Sequence, residues 1–373
     1  MREASGATAG FDYLRIGLAL AVLVWHSIGV STRSASLDQA LWSGPFRFLP
    51  AAILPMFFAL SGFLVAGSLE RTKTRQFVTL RVLRLVPALA VEVTLSALIL
   101  GAAFTTLPLR DYLTSAELHR YFGNIVGFMH YSLPGVFEGN PVPRLVNFQL
   151  WTIPYELECY LALVLASLST IMRQRTAFVA ATVLFTLAAT IIAIFFFPAN
   201  PFDHVPGRAL VMSFLAAVCL HKYRDKIPYS PVLGVAAAIA AAALLRIPND
   251  AYLAAWPVAY LTMWLGLMRP PKIPFGDLSY GVYLFHFPVE QSIVHLFPGV
   301  NSWWRLTLMA APPSALCAWL SWNLVERPVL SRKTQIVSAV DRAWASAARV
   351  APAVFPWRER RRTATSNAVA RAD

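Results

Sequence analysis

Charged residues are scarce in this sequence, and hydrophobic residues are abundant. Asp, Glu, Lys and Arg together make up 14% of the 373 residues, whereas hydrophobic residues make up 57%. A soluble domain contains about 25% charged and roughly 45–50% apolar residues. The shortage of charge therefore disfavours a soluble two-domain enzyme of this length and favours a protein that crosses a membrane several times.

Cysteine is also scarce, and the motifs of several enzyme classes are missing. Cys159, Cys219 and Cys317 are widely spaced and form no metal-binding or redox pattern, so we interpret them as small packing residues. The sequence contains no HExxH, no GxSxG and no glycine-rich phosphate-binding loop. No metal site is predicted.

The net charge of +13 has two interpretations. A basic protein can bind nucleic acid, but its basic residues then usually form one basic patch or domain. Here they lie between apolar runs, as expected for the cytoplasmic loops of a membrane protein. We therefore predict no nucleic-acid partner.

Apolar runs of about 20 residues are long enough to span a bilayer as helices. The sixth and seventh candidates are short or rich in alanine, and no internal repeat is evident. The runs predict an all-α, polytopic membrane helix bundle. The ten candidate spans are 11–30, 51–69, 85–106, 150–171, 177–197, 208–221, 229–245, 251–268, 276–297 and 305–325.

The loops predict the orientation of these spans. Odd-numbered connections carry few or scattered basic residues, whereas the segments after even-numbered spans are rich in them. The positive-inside rule then places both termini in the cytoplasm. The basic clusters are Arg71, Lys73, Arg75, Arg81 and Arg84; Arg173 and Arg175; Lys222, Arg224 and Lys226; Arg269 and Lys272; and the residues from Arg327 onward.

Two regions lie outside the spans. The 107–149 connection is long, so we expect it to be functional or partly helical. Residues 1–330 are predicted to form the transmembrane domain, and residues 331–373 a basic cytoplasmic tail. Segment 334–350 of this tail fits a helix on the membrane surface. The alternative is a disordered tail that is attracted to anionic lipid.

The first span carries three ionisable residues, Asp12, Arg15 and His26. Arg15 and His26 are eleven residues apart, which corresponds to about 1100° of rotation and a rise of about 16 Å, so they share one helix face. Asp12 lies one turn before Arg15 and can pair with it. This face predicts a functional site, and argues against a cleaved signal peptide. The alternative is interfacial Asp12 and Arg15 with a hydrogen-bonded core histidine.

Small and basic residues mark the second and third spans. Ser61 and Gly62 interrupt the aromatic run "MFFALSGFLVAG" and allow a neighbouring helix to approach closely. Arg75, Arg81 and Arg84 follow at helical or near-helical spacing. Such a cationic face can receive a phosphate-rich ligand, although it is also explained as a topology signal.

The fourth span opens with "FQLWTIPYELECYL", in which two carboxylates precede a long apolar run. Glu156 lies near the helix start, where the helix dipole favours an acid. Glu158 lies deeper in the span.

The last two spans carry further polar motifs. His286 is a second candidate base, although a hydrogen-bonded histidine in helix packing would also explain it. The motif residues of these spans are Ser279, Tyr280, Tyr283 and His286 in "GDLSYGVYLFHFPVE", and Glu326 and Arg327 in "LVERPVL".

Taken in order, these segments resemble the membrane-bound acyltransferase 3 family of bacteria. One departure is that Leu157 follows Glu156, where many members have a second acid. The matched motifs are DxLR with a later histidine (Asp12, Arg15, His26), FFxLSGF (57–63), RxxRxxP (Arg81, Arg84, Pro87), LWTxxYE…Y (150–156 with Trp151, and Tyr160), SYxxYLxHxP (279–288) and ERP (326–328).

The resemblance implies transfer of an acyl group, usually acetyl, from cytoplasmic acyl-CoA to a hydroxyl of a carbohydrate in the bacterial inner membrane. It implies that His26 acts as a general base or as a covalent acyl relay, with His286 as a reserve base. Glu156 or Glu158 would orient the base or hold the sugar. Arg15, Arg75, Arg81 and Arg84 would bind the CoA thioester.

Two alternatives stay open at this point. One is a transporter or flippase for a lipid-linked saccharide, because charged residues inside a membrane suit that role equally well. The other is an acyltransferase that acts on a small molecule or a lipid. The sequence leaves the acceptor, the acyl length and the oligomeric state undetermined.

Overall fold

The computed structural model describes residues 8–31, 36–172, 174–197, 204–274 and 276–354. The regular structure of these residues is helical, with two isolated β-bridges, Thr105–Val136 and Ser132–Leu145. This confirms the all-α prediction for the described part of the chain. Arg33, Arg173 and the arginine cluster of the tail beyond residue 354 lie outside the described residues.

Sixteen α-helices follow one another along the described residues. Two π-helical segments, Ser96–Leu100 and Trp322–Glu326, make α4–α5 and α14–α15 continuous. The α-helices are α1 Ala9–Ser31, α2 Ser36–Ser43, α3 Phe48–Arg71, α4 Thr74–Leu95, α5 Gly101–Phe104, α6 Leu109–Thr114, α7 Ala116–Tyr121, α8 Ile153–Leu168, α9 Arg175–Phe196, α10 Gly207–Lys222, α11 Pro231–Leu245, α12 Ala251–Gly266, α13 Ser279–Leu296, α14 Trp303–Ser321, α15 Arg327–Ser331 and α16 Lys333–Val354.

Each of the ten predicted spans overlaps a helix. Among the described helices, four are long and apolar enough to cross a membrane, which makes this a membrane protein. The other six overlapping helices are shorter or less apolar; α11, for example, has 15 residues. The four helices are Ala9–Ser31, Phe48–Arg71, Thr74–Phe104 and Arg175–Phe196.

Small residues bring the helices of the bundle together. A Cβ atom at Gly62 of α3 would lie 2.2 Å from the carbonyl oxygen of Phe214 in α10, and one at Gly281 of α13 would lie 2.6 Å from the Cα of Ala318 in α14. Close backbone approach of this kind drives helix association in lipid, where the hydrophobic effect contributes little. The expectation that Gly62 allows close approach is therefore confirmed.

Polar side chains hold the 107–149 connection against the bundle. The buried carboxylate of Glu92 in α4 accepts a hydrogen bond of 2.8 Å from Asn147, and Asn147 also contacts the hydroxyl of Tyr121. On the other side, the Gln291 amide of α13 donates to the carbonyl oxygens of Val142 and Leu145. The connection contains α6 and α7, as the expectation of partial helix required.

Candidate active site

Two histidines from distant parts of the sequence meet in the bundle. His26 Nδ1 of α1 lies 2.7 Å from His286 Nε2 of α13, and the two rings are inclined by only 5°. His286 is fully buried, whereas His26 is half-buried. The two histidines that the sequence offered as alternative bases therefore form one hydrogen-bonded pair.

The hydrogen bonds of this pair determine which nitrogens carry protons. His286 Nδ1 lies 3.1 Å from the carbonyl oxygen of Val282, which can only accept, so His286 Nδ1 must donate. His286 Nε2 in a neutral ring is then the acceptor, and His26 Nδ1 must carry the proton shared between the rings. This leaves His26 Nε2 with its lone pair free, as a general base or nucleophile requires.

A third buried polar group lies beside the pair. Glu290 has no exposed surface, and its Oε1 accepts a hydrogen bond of 2.8 Å from Ser27, the neighbour of His26. One ligand-type atom of each of His26, His286 and Glu290 lies within 4.8 Å of the others. Such a cluster could also be a metal site, in which two nitrogens bound to one zinc ion would lie about 3.3 Å apart. The distance of 2.7 Å between His26 Nδ1 and His286 Nε2 is shorter and corresponds to a hydrogen bond. Glu290 lies one turn after His286, but its sequence position alone does not mark it as a site residue.

A cluster of charged side chains joins four segments, about 16 Å along α1 from the histidines. Asp277, just before α13, accepts a hydrogen bond of 2.9 Å from Arg15 and also binds Arg84. Arg84 donates a further bond of 3.1 Å to the buried carboxylate of Glu326. Within the described residues, Arg15 forms its ion pair with Asp277 and not with Asp12. Asp277 was missed because its partners are about 190 and 260 residues away in the sequence.

A cavity of about 150 Å³, here called the arginine cavity, extends from this cluster into the bundle. Arg81 is notable there because its Nε is buried without a hydrogen-bond partner, while its guanidinium lies over the rings of Phe77 and Tyr160. An unsatisfied buried donor is costly unless a ligand satisfies it. The motif residues that line this cavity are Arg15, Ser61, Arg81, Arg84, Glu156, Tyr160, Ser279, Tyr280 and Tyr283.

The polar groups of the arginine cavity are held by hydrogen bonds. Tyr160 donates to the Glu156 carboxylate one turn earlier in α8. Ser279 donates to Asp277 at 2.5 Å, and Tyr280 donates to the carbonyl oxygen of Leu85 at 3.0 Å. The "YE…Y" and "SY" motifs therefore act together in one cavity wall.

A second cavity of about 220 Å³, here called the histidine cavity, contains His26. Its polar side chains include Asp38 of α2, whose pKa is raised by burial, an effect that His204 opposes. Its walls are otherwise mostly aromatic and aliphatic. The aromatic residues are Trp25, Trp42, Phe148, Trp151, Tyr283 and Phe287. Among the described residues, Leu54 and Tyr283 alone line both cavities.

Seven predicted site residues line neither cavity: besides Asp12, Gly62, His286 and Glu326, these are Arg75, Glu158 and Arg327. Arg75 is bound to Asp341 of α16, about 120° around α4 from Arg81. Glu158 is exposed, because it follows Glu156 by two residues and therefore lies about 200° around the helix from it. Arg327 is also exposed.

Comparisons with known proteins identify the family of this chain. The family described as "Acyltransferase domain" matches residues 8–322. The chain is 27% identical over 369 residues to Nodulation protein 10 of Rhizobium leguminosarum bv. viciae, with 90% of this chain and 97% of that protein covered. It is 23% identical over 340 residues to the O-acetyl transferase of Shigella phage Sf6, with 88% of this chain and 98% of that protein covered. No solved structure matches.

The fold and the matched domain define the class of protein, a membrane O-acyltransferase that acts on an acyl donor and an acceptor. The chain belongs to the acyltransferase 3 family, as the order of its motifs predicted.

Proposed function

We propose that this protein transfers an acyl group, most simply acetyl, from cytoplasmic acyl-CoA to a hydroxyl of a carbohydrate acceptor. The observation that carries the proposal is the pair of adjoining cavities, one lined by arginines and the other by His26. The arginine cavity suits an anionic donor, and the aromatic walls of the histidine cavity suit a sugar ring. The name of the phage relative, an O-acetyl transferase, supports acetyl as the acyl group.

The proposed topology has ten spans with both termini in the cytoplasm of a bacterial inner membrane. It is supported by the ten helices that coincide with the predicted spans and by the basic loops after even-numbered spans. Residues 1–330 then form the transmembrane acyltransferase domain and residues 331–373 a cytoplasmic tail. In this topology Arg15 and Arg84 lie toward the cytoplasm and His26 in the outer half of the membrane.

Arg81 is the proposed main contact for a donor phosphate, because it lines the arginine cavity and, among the described residues, forms no ion pair. Arg15 and Arg84 are already neutralised by Asp277 and Glu326, so they would position the donor and add less net charge. Arg75, which pairs with Asp341, is not part of the proposed site.

In direct transfer, His26 Nε2 takes the proton of the acceptor hydroxyl, while the oxygen of that hydroxyl bonds to the thioester carbonyl carbon. The tetrahedral intermediate then collapses with cleavage of the carbon–sulfur bond, and the proton on His26 passes to the departing CoA thiolate. In a relay, Nε2 itself bonds to the carbonyl carbon while the carbon–sulfur bond breaks and CoA leaves as the thiolate. The acceptor hydroxyl oxygen then bonds to the acyl carbon while the carbon–nitrogen bond breaks, and the freed Nε2 takes the hydroxyl proton and releases it to solvent, which protonates the thiolate. Both routes begin from the same lone pair, and neither requires a metal.

The test uses purified protein in nanodiscs with radiolabelled acetyl-CoA and a bacterial polysaccharide fraction. Label should enter the carbohydrate with wild-type protein and not with His26→Ala. His119→Ala is the matched control, because His119 is an exposed histidine whose Nδ1 contacts the backbone oxygen of Ser115. Full activity of His26→Ala would contradict the proposal. Label on the protein before acceptor is added would favour the relay.

A further inference from the structure

We propose that Leu54 and Tyr283 form the narrow passage through which the acyl group reaches His26, and that this passage selects short acyl chains. This inference rests on the proposed function, because it assumes that the arginine cavity holds the acyl-CoA donor. It concerns a separate property, the acyl length, which neither the family nor the relatives' names assign to any residue of this chain.

Leu54 and Tyr283 lie at the boundary between the two cavities. The arginine cavity contains Arg81 and Arg84 but not His26, whereas the histidine cavity contains His26 but no arginine. Leu54 and Tyr283 are the two residues that line both. A thioester in the arginine cavity must therefore bring its acyl carbon past these side chains.

Tyr283 is held in place by its neighbours. Its hydroxyl donates a hydrogen bond of 2.6 Å to the carbonyl oxygen of Gln149, and it lies 2.5 Å from the hydroxyl of Thr152. Its ring packs against Phe57, with the centroids 6.1 Å apart. Because Tyr283 is held at both its hydroxyl and its ring, it forms one fixed side of the passage.

Leu54 forms the side of the passage opposite Tyr283. Leu54 is a half-buried aliphatic residue of α3. A leucine side chain has two rotatable bonds and no polar atom, so it contacts a passing acyl group only through its methyl groups. Its size therefore sets the width left beside Tyr283. An acetyl group is the smallest simple acyl group with a carbon chain, and each added methylene must fit in the same gap. One methylene in an apolar site changes discrimination by about 10–200-fold.

The experiment compares acetyl-, propionyl- and butyryl-CoA as donors for wild-type protein, Leu54→Ala and Leu54→Phe, all in nanodiscs. We expect Leu54→Ala to raise the ratio of butyryl to acetyl kcat/KM by about tenfold or more. Leu54→Phe should lower transfer from all donors, with the longer acyl chains affected most. Acylated acceptor is measured by mass spectrometry, and correct folding by size-exclusion chromatography and thermal unfolding.

Leu64→Ala is the matched control. Leu64 is a half-buried leucine of the same helix that lines the arginine cavity but not the histidine cavity. Its truncation should change the use of all three donors by a similar factor and leave their ratio unchanged. An unchanged ratio in Leu54→Ala, or an equal shift in Leu64→Ala, would overturn the passage while leaving the proposed function intact. A folded wild-type protein inert with every donor would overturn both.

Discussion

In the proposed mechanism His26 and His286 form the chemical centre, and each depends on the other. His286 accepts the hydrogen bond that holds the His26 proton on Nδ1, so His286 positions the catalytic group without itself lining either cavity. This interpretation combines two residues that the sequence offers only as alternatives. It also gives each a different expected behaviour on substitution.

His286→Ala should reduce kcat by about 10²–10⁴-fold, because His26 then loses the partner that fixes its tautomer. His286→Gln should recover part of the activity, because its side-chain oxygen can accept the same hydrogen bond. Steady-state kinetics with acetyl-CoA measures both. Equal activity of the wild type and His286→Ala would contradict this role.

Glu290→Gln should reduce kcat by about 10–100-fold with little change in KM for either substrate. The carboxyl group lies within 4.8 Å of both histidines, and its ionised form would stabilise the imidazolium formed when His26 takes a proton. The readout is kcat against KM, because Glu290 lines neither cavity.

Glu92→Gln is the matched control for that substitution. Glu92 is equally buried and also has one carboxylate oxygen without a partner, but it binds Ser96 and Asn147. It should affect thermal stability more than kcat. A similar loss of kcat in both variants would indicate a structural role for Glu290.

Arg81→Ala should raise KM for acetyl-CoA by about 10–100-fold, which corresponds to the loss of one hydrogen bond to a charged group. Arg75→Ala should leave this KM unchanged because Arg75 is bound to Asp341 outside the cavity. Isothermal titration with CoA checks the same difference without turnover. A larger effect at Arg75 would reverse the assignment.

At the scale of elements, α16 is a helix held against the start of α4. The Asp341 carboxylate accepts hydrogen bonds from Gln76 at 2.7 Å and from Arg75. These bonds lower the pKa of Asp341 below its usual value. Trp344 of the same helix is exposed, which is the arrangement of a helix at a membrane surface.

The docking of α16 should therefore weaken in acid. A carboxyl whose pKa is lowered in the folded state stabilises it above the usual value near 4 and loses this effect as the pH falls through the lowered pKa. Spin labels on α16 and α4 in nanodiscs should show one short distance at pH 7 and a broader distribution near pH 3. Asp341→Asn should show the broader distribution already at pH 7. Identical distributions would exclude this contact as the anchor.

At the scale of the whole molecule, the proposed topology makes donor use depend on the side of the membrane. Inverted vesicles, which expose the cytoplasmic face, should use added acetyl-CoA, and sealed right-side-out vesicles should not. Detergent should abolish the difference. Equal use by both kinds of sealed vesicle would contradict the orientation.

Local features of the fold follow directly from the sequence. Apolar length predicts the helices, and the eleven-residue spacing places Arg15 and His26 on one face of α1, where they meet Asp277, just before α13, and His286, within α13. The partners themselves are not predictable from spacing, because they lie about 260 residues away and depend on helix packing. Glu158 is exposed, because proximity to Glu156 in sequence does not determine which helix face meets a cavity.

The boundary at Leu54 and Tyr283 has a consequence beyond acyl selection. In the proposed topology the two cavities face opposite sides of an energised membrane, and these two side chains separate them. The same residues must then act as an insulator, since water continuous from one cavity to the other would let protons cross. A variant whose passage admits long acyl chains should therefore also dissipate a proton gradient across proteoliposomes. Proton leakage then limits the length of the acyl chains that such an enzyme can evolve to transfer.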